Sequence, residues 1–463
     1  MHVQADFAYM VRVRLQQAAL LILFVPALCF AAAVQSFEGR LESLVTDSFS
    51  AAPQNVYLLH VKNSPAVYEL APTGVNMSAF LDGDEVRVSG ELSGNRITVN
   101  AANPAHGIML LNRIVSALSY GVPQTRRAGV LIAQSNDQAA PATVTQMRGI
   151  MWEGTRSVAG WYSEAANAQI ELPPDTDGDA QGLADVFGPY HIDYNVAGAC
   201  NTYTWRAAVI SAAQAAGINT AQYQHLLVLL PRGSSCGYAG IASTSCSTQC
   251  AVTVYGEYWN LHDVWTHELG HNFGLGHAGY DENNDGYLDD HGILSQYMDH
   301  SCIMGEGGVG FRHFNGAHKA EREWLPQDRF LTITESGRFK IAAIELDPES
   351  LPSDQVQLVR FAYPGKSGAY FYLSYRARLG NYSVNLEDKY RNKVNVHWKG
   401  TSSLTYFITG LADGELFQDP SASICVRQLD HSETENFATV DVNFGCQDAT
   451  SPAAPGALRI LSQ

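Results

Sequence analysis

HELGHNFGLGH, residues 267–277, is the stretch from which the fold of this chain can be predicted. On a helix, His267 and His271 lie one turn apart, so both imidazoles face the same side. Gly274 can adopt a left-handed backbone that ends the helix, and the chain then turns back to deliver His277. Three neutral nitrogen ligands that leave one position open are the arrangement of a catalytic zinc. Glu268, beside the first ligand, is placed to take a proton from a water that the zinc activates.

Histidines that merely cap or pack a helix are the plainer interpretation of such a pattern. A bare H-E-x-x-H occurs by chance in many chains, but the added glycine and third histidine make the pattern far more specific. We therefore predict that His267, His271 and His277 bind zinc and that Glu268 is the general base of a hydrolase.

The stretch matches every fixed position of H-E-x-x-H-x-x-G-x-x-H, and in it the chain resembles the metzincin zinc peptidases. Within that group the chain is similar to the gametolysin (autolysin-type) family. The segments that carry this similarity, besides 267–277, are Tyr223-Gln224-His225, Cys236-Gly237, Ala278-Gly279, Cys302-Ile303-Met304-Gly305 and residues 315–324. The resemblance covers roughly residues 125 to 330. It implies secretion, bound zinc and endopeptidase activity.

Metzincins also carry a tight turn with a methionine beneath the zinc, and Met304 is placed as that residue would be. The resemblance implies that the Met304 thioether packs as an apolar group beneath the histidines and is not a metal ligand. A core methionine without such a role is the alternative. In zinc peptidases of this plan, a strand bordering the cleft pairs with the extended substrate. We expect that strand at residues 240–243 or 252–255, and the sequence does not choose between them.

The length of 463 residues predicts several domains. We predict the α+β class, with a metzincin-like zinc peptidase domain flanked by a small N-terminal β domain and a C-terminal β-sandwich. The predicted segments are a signal peptide at 1–33, a small all-β domain at 34–105, a linker at 106–125, the catalytic domain at 126–328 and the β-sandwich at 329–463.

The first residues have the features of an export signal. Arg12 and Arg14 precede an apolar run, and small residues before Val34 suit cleavage. An uncleaved anchor is the alternative, although Pro26 interrupts the run. Export predicts a secreted protein, extracellular or periplasmic, that has no membrane association once the signal is removed.

The N-terminal β domain is either a propeptide or a permanent accessory module, and the sequence favours neither. One form of latency is excluded at this stage. Because no cysteine stands between Cys29 and Cys200, this segment cannot block the zinc with a thiolate.

Cysteine usage agrees with export. Cys425 and Cys446 stand alone in the C-terminal part, and we expect them to form a disulfide. The other cysteines of the mature chain number five, so at least one is unpaired within the chain: Cys200, Cys236, Cys246, Cys250 and Cys302.

Two acidic loops have spacings that suit calcium. One contains Asp175, Asp177 and Asp179, and the other contains Asp281, Asn283, Asp285 and Asp289. Both depart from a full calcium loop, since Ala180 replaces a glycine in the first and Gly292 replaces the closing glutamate in the second. Solvated acidic turns are the alternative interpretation.

The formal net charge of −17 argues against nucleic acid or an anionic membrane as partner. We predict a secreted, monomeric zinc metalloendopeptidase that cleaves extracellular or cell-wall proteins, including cell-wall glycoproteins, with calcium as a second candidate cofactor. Two other hypotheses stay open. The chain could be a catalytically silent wall-binding or adhesion protein on the same scaffold, or a zinc hydrolase of non-protein amides.

Overall fold

The computed structural model describes residues 34–49, 51–113, 120–178, 182–246, 249–285, 292–421 and 423–446. The predicted signal peptide therefore lies outside the described residues. The chain is a mixed α+β protein with many strands and few helices, which confirms the predicted class. Within the described residues, no helix is long and apolar enough to cross a membrane.

The N-terminal part consists of strands. They are β1 (Val34–Asp47), β2 (Gln54–Val61), β3 (Val67–Thr73), β4 (Glu85–Ser93), β5 (Arg96–Asn100) and β6 (Gly107–Asn112). The pairings β1–β2–β3–β5–β4–β1 return to the first strand, so the strands close into a small barrel. Its core contains Leu41, Leu59, Val86 and Ile97. β6 pairs with β4, so the stretch predicted as a linker contains a strand.

The central part mixes strands and helices. Its strands are β7 (Gln124–Thr125), β8 (Ala128–Ser135), β9 (Ile170–Glu171), β10 (Val186–Ile192), β11 (His225–Leu230), β12 (Gly240–Ser243), β13 (Cys250–Tyr255) and β14 (Ala278–Tyr280). Its helices are α1 (Val144–Arg148), α2 (Val158–Ala165), α3 (Thr202–Ala215), α4 (His262–Asn272) and α5 (Gly316–Glu321). A π-helical turn spans Gly149–Glu153, and 3₁₀ turns span Thr220–Gln222, Gly256–Tyr258 and Gly292–Tyr297.

The C-terminal part returns to strands. They are β15 (Phe330–Thr332), β16 (Gly337–Ala342), β17 (Gln355–Val356), β18 (Leu358–Ala362), β19 (Tyr370–Arg376), β20 (Lys393–Lys399), β21 (Thr405–Leu411), β22 (Leu416–Gln418), β23 (Ile424–Ser432) and β24 (Phe437–Phe444). They form sheets in the orders β14-β21-β20-β19-β18-β15 and β17-β16-β24-β23-β22, which share one apolar core. Because β14 follows His277 directly, the first of these sheets crosses the predicted boundary at residue 328.

The central sheet has the order β10-β8-β11-β13-β12, and β1 continues it beyond β12. β10, β8, β11 and β13 are parallel, whereas β12 is antiparallel to β13. Alternate residues of β11 enter different cores: Leu227 packs with the core of α2 and α4, and Val228 packs with the core of α3. A parallel strand covered on both faces is apolar at every position, as the run Leu226–Leu230 is.

The disulfides are consistent with the expectation from cysteine number. Cys425 pairs with Cys446, which confirms the predicted pair. Cys200 pairs with Cys236, and Cys246 pairs with Cys250. Cys302 is the free cysteine of the described residues and is buried.

Candidate metal centre and active site

Helix α4 carries the first two histidines and is held firmly in the core. Val264, Trp265 and Leu269 on this helix are fully buried. Gly274 has φ +82°, and its amide donates to the His271 carbonyl oxygen at 2.8 Å, so the helix ends there. The chain reverses and brings His277 back to the helix.

The three histidines converge as the sequence predicts. Their Nε2 atoms and one carboxylate oxygen of Asp47 lie within 4.8 Å of one another, and all four residues are buried. Nε2 of His271 lies 3.2 Å from Nε2 of His267.

The hydrogen bonds of these rings show that a cation fits between them. Nδ1 of His267 donates to the Ile303 carbonyl at 3.0 Å, and Nδ1 of His271 donates to the Leu275 carbonyl at 2.8 Å. A carbonyl oxygen only accepts, so each Nδ1 carries the proton and each neutral ring presents a lone pair at Nε2. Two lone pairs facing each other across 3.2 Å repel unless a cation lies between them. This donor set suits a divalent metal ion.

Glu268 is buried beside these ligands, and neither of its carboxylate oxygens has a hydrogen-bond partner among the described residues. Burial, reinforced by the charge of Asp47, raises the pKa of Glu268 well above its usual range. A Cβ added at Gly240 would overlap this carboxylate, so the glycine leaves the room that Glu268 occupies. The unsatisfied oxygens are free to act on a molecule in the cleft.

The structure places Met304 in a tight turn beside helix α4. It is fully buried in the turn 302–305, which the Gly305 amide closes by donating to the Cys302 carbonyl at 3.0 Å. A Cβ added at Gly270 would overlap the Met304 sulfur, so this sulfur packs directly against α4. The same turn orients His267 through the Ile303 carbonyl, and the Met304 carbonyl accepts from the amide of Ala278 at 2.8 Å.

Sequence reasoning missed two residues of the centre, Asp47 and Tyr297. Asp47 Oδ1 lies 2.7 Å from His277 Nε2, and Oδ2 lies 3.1 Å from His271 Nε2 and 3.7 Å from His267 Nε2. The Tyr297 hydroxyl donates to Asp47 Oδ1 at 2.8 Å. Asp47 is one of 46 acidic residues, and no local pattern singles it out.

The C-terminal sheets also help to position the third histidine. The Thr405 amide donates to the His277 carbonyl at 3.1 Å, and β14 pairs in parallel with β21. A cavity of about 760 Å³ beside the centre is lined by residues from all three parts of the chain, among them Val45, His271, His277 and Ser402.

None of the residues of the acidic loops belongs to the group formed by Asp47 and the three histidines. Asp175 and Asp177 lie with Asp185 in a group of carboxylates close enough to hold a cation, and Asp179 lies outside the described residues. Calcium at this loop stays a prediction.

In the second loop, Asp281 accepts from Trp398 Nε1 at 2.6 Å and from the Asp285 amide at 3.2 Å. Asn283 Oδ1 accepts from the same amide at 2.9 Å, and Asp289 lies outside the described residues. These contacts give Asp281 and Asn283 a structural role in the turn, and they do not test the predicted calcium.

A family described as gametolysin peptidase M11 matches residues 130–405, more than half of the chain. The chain belongs to this family. Membership confirms the resemblance and makes the chain a metallopeptidase, a hydrolase of protein or peptide substrates. The M11 match contains the three histidines and Met304, extends to β21, and leaves out the N-terminal barrel with Asp47. No curated protein matches the chain.

Proposed function

We propose that this M11 chain is a secreted zinc metalloendopeptidase in which His267, His271 and His277 hold the metal. The observation that carries the proposal is the convergence of their Nε2 atoms, two of which present lone pairs at 3.2 Å because each Nδ1 donates to a carbonyl. Three imidazoles are a usual ligand set for catalytic zinc, and Met304 forms the apolar support beneath them.

When bound, zinc polarises a peptide carbonyl and makes a water molecule more acidic. Glu268 is the general base that takes the proton of the attacking water and returns it to the leaving amine. Its buried oxygens, which lack a partner among the described residues, support this role.

The disulfides Cys200–Cys236, Cys246–Cys250 and Cys425–Cys446 suit an oxidising compartment and support secretion. The candidate substrates are extracellular or cell-wall proteins, including cell-wall glycoproteins, and we expect a monomer. A silent adhesion protein on this scaffold would have no need for a buried, unsatisfied Glu268.

Metal analysis of purified variants tests the proposal. The wild-type chain should hold one zinc, His271→Ala should lose it, and Glu268→Gln should retain it while hydrolysis of a casein or peptide substrate disappears. Unchanged zinc in His271→Ala, or measurable turnover in Glu268→Gln, would remove these assignments. Zinc content is the primary measurement, because hydrolysis also depends on access to the cleft.

A further inference from the structure

We propose that the N-terminal barrel keeps the peptidase latent: Asp47 closes the open position of the metal centre, and β1 lies along the strand where a substrate would pair. This proposal rests on the zinc peptidase function proposed above and concerns the control of that same site. It assigns the barrel as an inhibitory propeptide and not as a neutral accessory module.

The pairing of β1 with β12 supports the proposal that β1 occupies the place of a substrate. Gly240–Ser243 was one of two candidates for the strand that binds substrate. Among the strands of the central part, β12 is the last in the sheet order and would be its edge without β1, whereas β13 lies between β11 and β12. An extended peptide binds a sheet by adding to such an edge. β1 has taken this edge in antiparallel register, with Leu44 opposite Ser243 and Asp47 opposite Gly240.

The position of the Asp47 carboxylate supports the proposal that this residue closes the metal centre. Asp47 is fully buried and its oxygens lie 2.7 Å and 3.1 Å from Nε2 of His277 and His271. Carboxylate oxygen is an ordinary zinc ligand, and three imidazoles with one carboxylate complete a four-ligand set. A closed set leaves no position for water, which is the property of a structural site and not of a catalytic one.

The residues after Asp47 also occupy the cleft. The Phe49 ring lies 5.1 Å from the His267 ring and 5.6 Å from the Tyr297 ring, centroid to centroid. A Cβ added at Gly307 would overlap the Phe49 ring, so the segment fits closely against the turn region that follows Met304. The N-terminal segment therefore lies against both the metal position and the turn region beside it.

Contacts behind β1 hold it in this place. Glu42 of β1 accepts from Arg206 of α3 at 2.7 Å, and both side chains are buried. Leu44 and Leu58 of the barrel share an apolar cluster with Ile241 of β12. The barrel is thus fixed to the catalytic part by side chains that do not touch the metal centre.

Cobalt substitution of the full-length chain tests the proposal without relying on activity. The visible spectrum of Co²⁺ reports its ligands, and acetohydroxamate is a small probe that needs an open coordination position. Asp47→Ala should change the spectrum and bind acetohydroxamate at least about tenfold more tightly than wild type, because the closed state no longer competes. Hydrolysis of a quenched peptide should increase in parallel.

Two further variants serve as controls for this experiment. Asp47→Asn retains the shape of the side chain but is a poor ligand. It should therefore show the changed spectrum and the tighter acetohydroxamate binding expected of Asp47→Ala. It provides this test if the alanine variant does not fold. Glu38→Gln is the matched control, because Glu38 lies on the same strand and pairs with Arg87 at the barrel surface. It should leave both the spectrum and the acetohydroxamate affinity unchanged.

The outcomes separate this proposal from the peptidase function. If both Asp47 variants bind metal with the wild-type spectrum and acetohydroxamate affinity, latency is overturned and the zinc peptidase stands. If the spectrum and affinity change but Glu268-dependent hydrolysis never emerges, the closed site is supported and the peptidase function fails. If wild type and variants all bind no metal, both proposals fall.

Discussion

At the scale of single residues, the metal centre depends on glycines that leave room for other groups. Gly240 makes space for the Glu268 carboxylate, and Gly270 lets the Met304 sulfur reach α4. In a close-packed interior, one added methyl group forces a neighbour to move. These glycines therefore shape the site without supplying a ligand or a catalytic side chain.

Gly270→Ala should destabilise the fold and weaken zinc binding, because the new Cβ displaces Met304 from beneath the histidines. Overpacking of this kind costs about 1–3 kcal/mol. Urea unfolding and zinc titration measure the two effects. Gly149→Ala is the matched control, since a Cβ there meets no atom within 4 Å. Equal stability of the two variants would show that Met304 is not packed as described.

At the scale of elements, β1 belongs to both the barrel and the central sheet. Val34–Arg40 pairs with β4, whereas Leu44–Asp47 pairs with β12. The buried ion pair between Glu42 of β1 and Arg206 of α3 links the barrel to the central part of the chain. Burial alone would raise the pKa of Glu42, but Arg206 and then His60 outweigh it and lower the pKa to about 2 from 4.5.

This shift predicts an acid dependence of stability. Because the pKa of Glu42 is lower in the folded chain, its contribution is fully present above pH 4.5 and is lost as the pH falls toward 2. The shift corresponds to at most about 3 kcal/mol. The pKa of nearby Asp82 is shifted in the opposite direction, because burial and the charge of Glu42 raise it.

Urea unfolding at pH 6, 4.5 and 3, compared between wild type and Glu42→Gln, isolates the pair. The free energy of unfolding should fall more steeply with acid in wild type than in Glu42→Gln, while Glu38→Gln should follow wild type. Parallel curves for wild type and Glu42→Gln would contradict the assigned role of the ion pair.

At the scale of the whole molecule, the metal centre is assembled from three parts of the chain. The barrel supplies Asp47, the central part supplies the three histidines, and β21 of the C-terminal sheets binds the backbone of His277 through Thr405. The M11 match ends at residue 405. We propose that the catalytic unit extends past the boundary predicted at 328.

A chain that ends at residue 328 should therefore fail to hold zinc, because β14 and His277 lose the sheet that fixes them. Zinc content of this truncation, compared with a chain that ends at 446, measures the effect. One zinc bound by the truncated chain would support the boundary predicted from sequence.

Thr405→Pro is a finer version of the same test, since it removes the amide that donates to His277. Thr405→Ala is its control, because it retains the amide while both variants lose the buried hydroxyl that bonds Asn315. Zinc affinity should fall more in the proline variant than in the alanine variant. Equal affinities would mean that the C-terminal sheet does not position the third histidine.

The sequence alone was sufficient for features whose geometry is local. His267 and His271 converge because a helix repeats every 3.6 residues, and Gly274 turns the chain within three residues of His277. The pairing of Cys425 with Cys446 was predictable because the C-terminal part offers no other partner. The continuous apolar run of β11 likewise predicted a buried strand.

Only the tertiary structure brought Asp47 to the histidines, 224 residues away from His271 along the chain. The cysteine positions led us to exclude a thiolate from the N-terminal segment, but they carried no information about a carboxylate. The contact depends on which strand adds to the edge of β12, and the β12–β1 and β14–β21 pairings are between segments distant in sequence. Local periodicity determines which residues share a face, whereas long-range strand pairing determines which segments meet, and that choice is made by the packing of the whole chain.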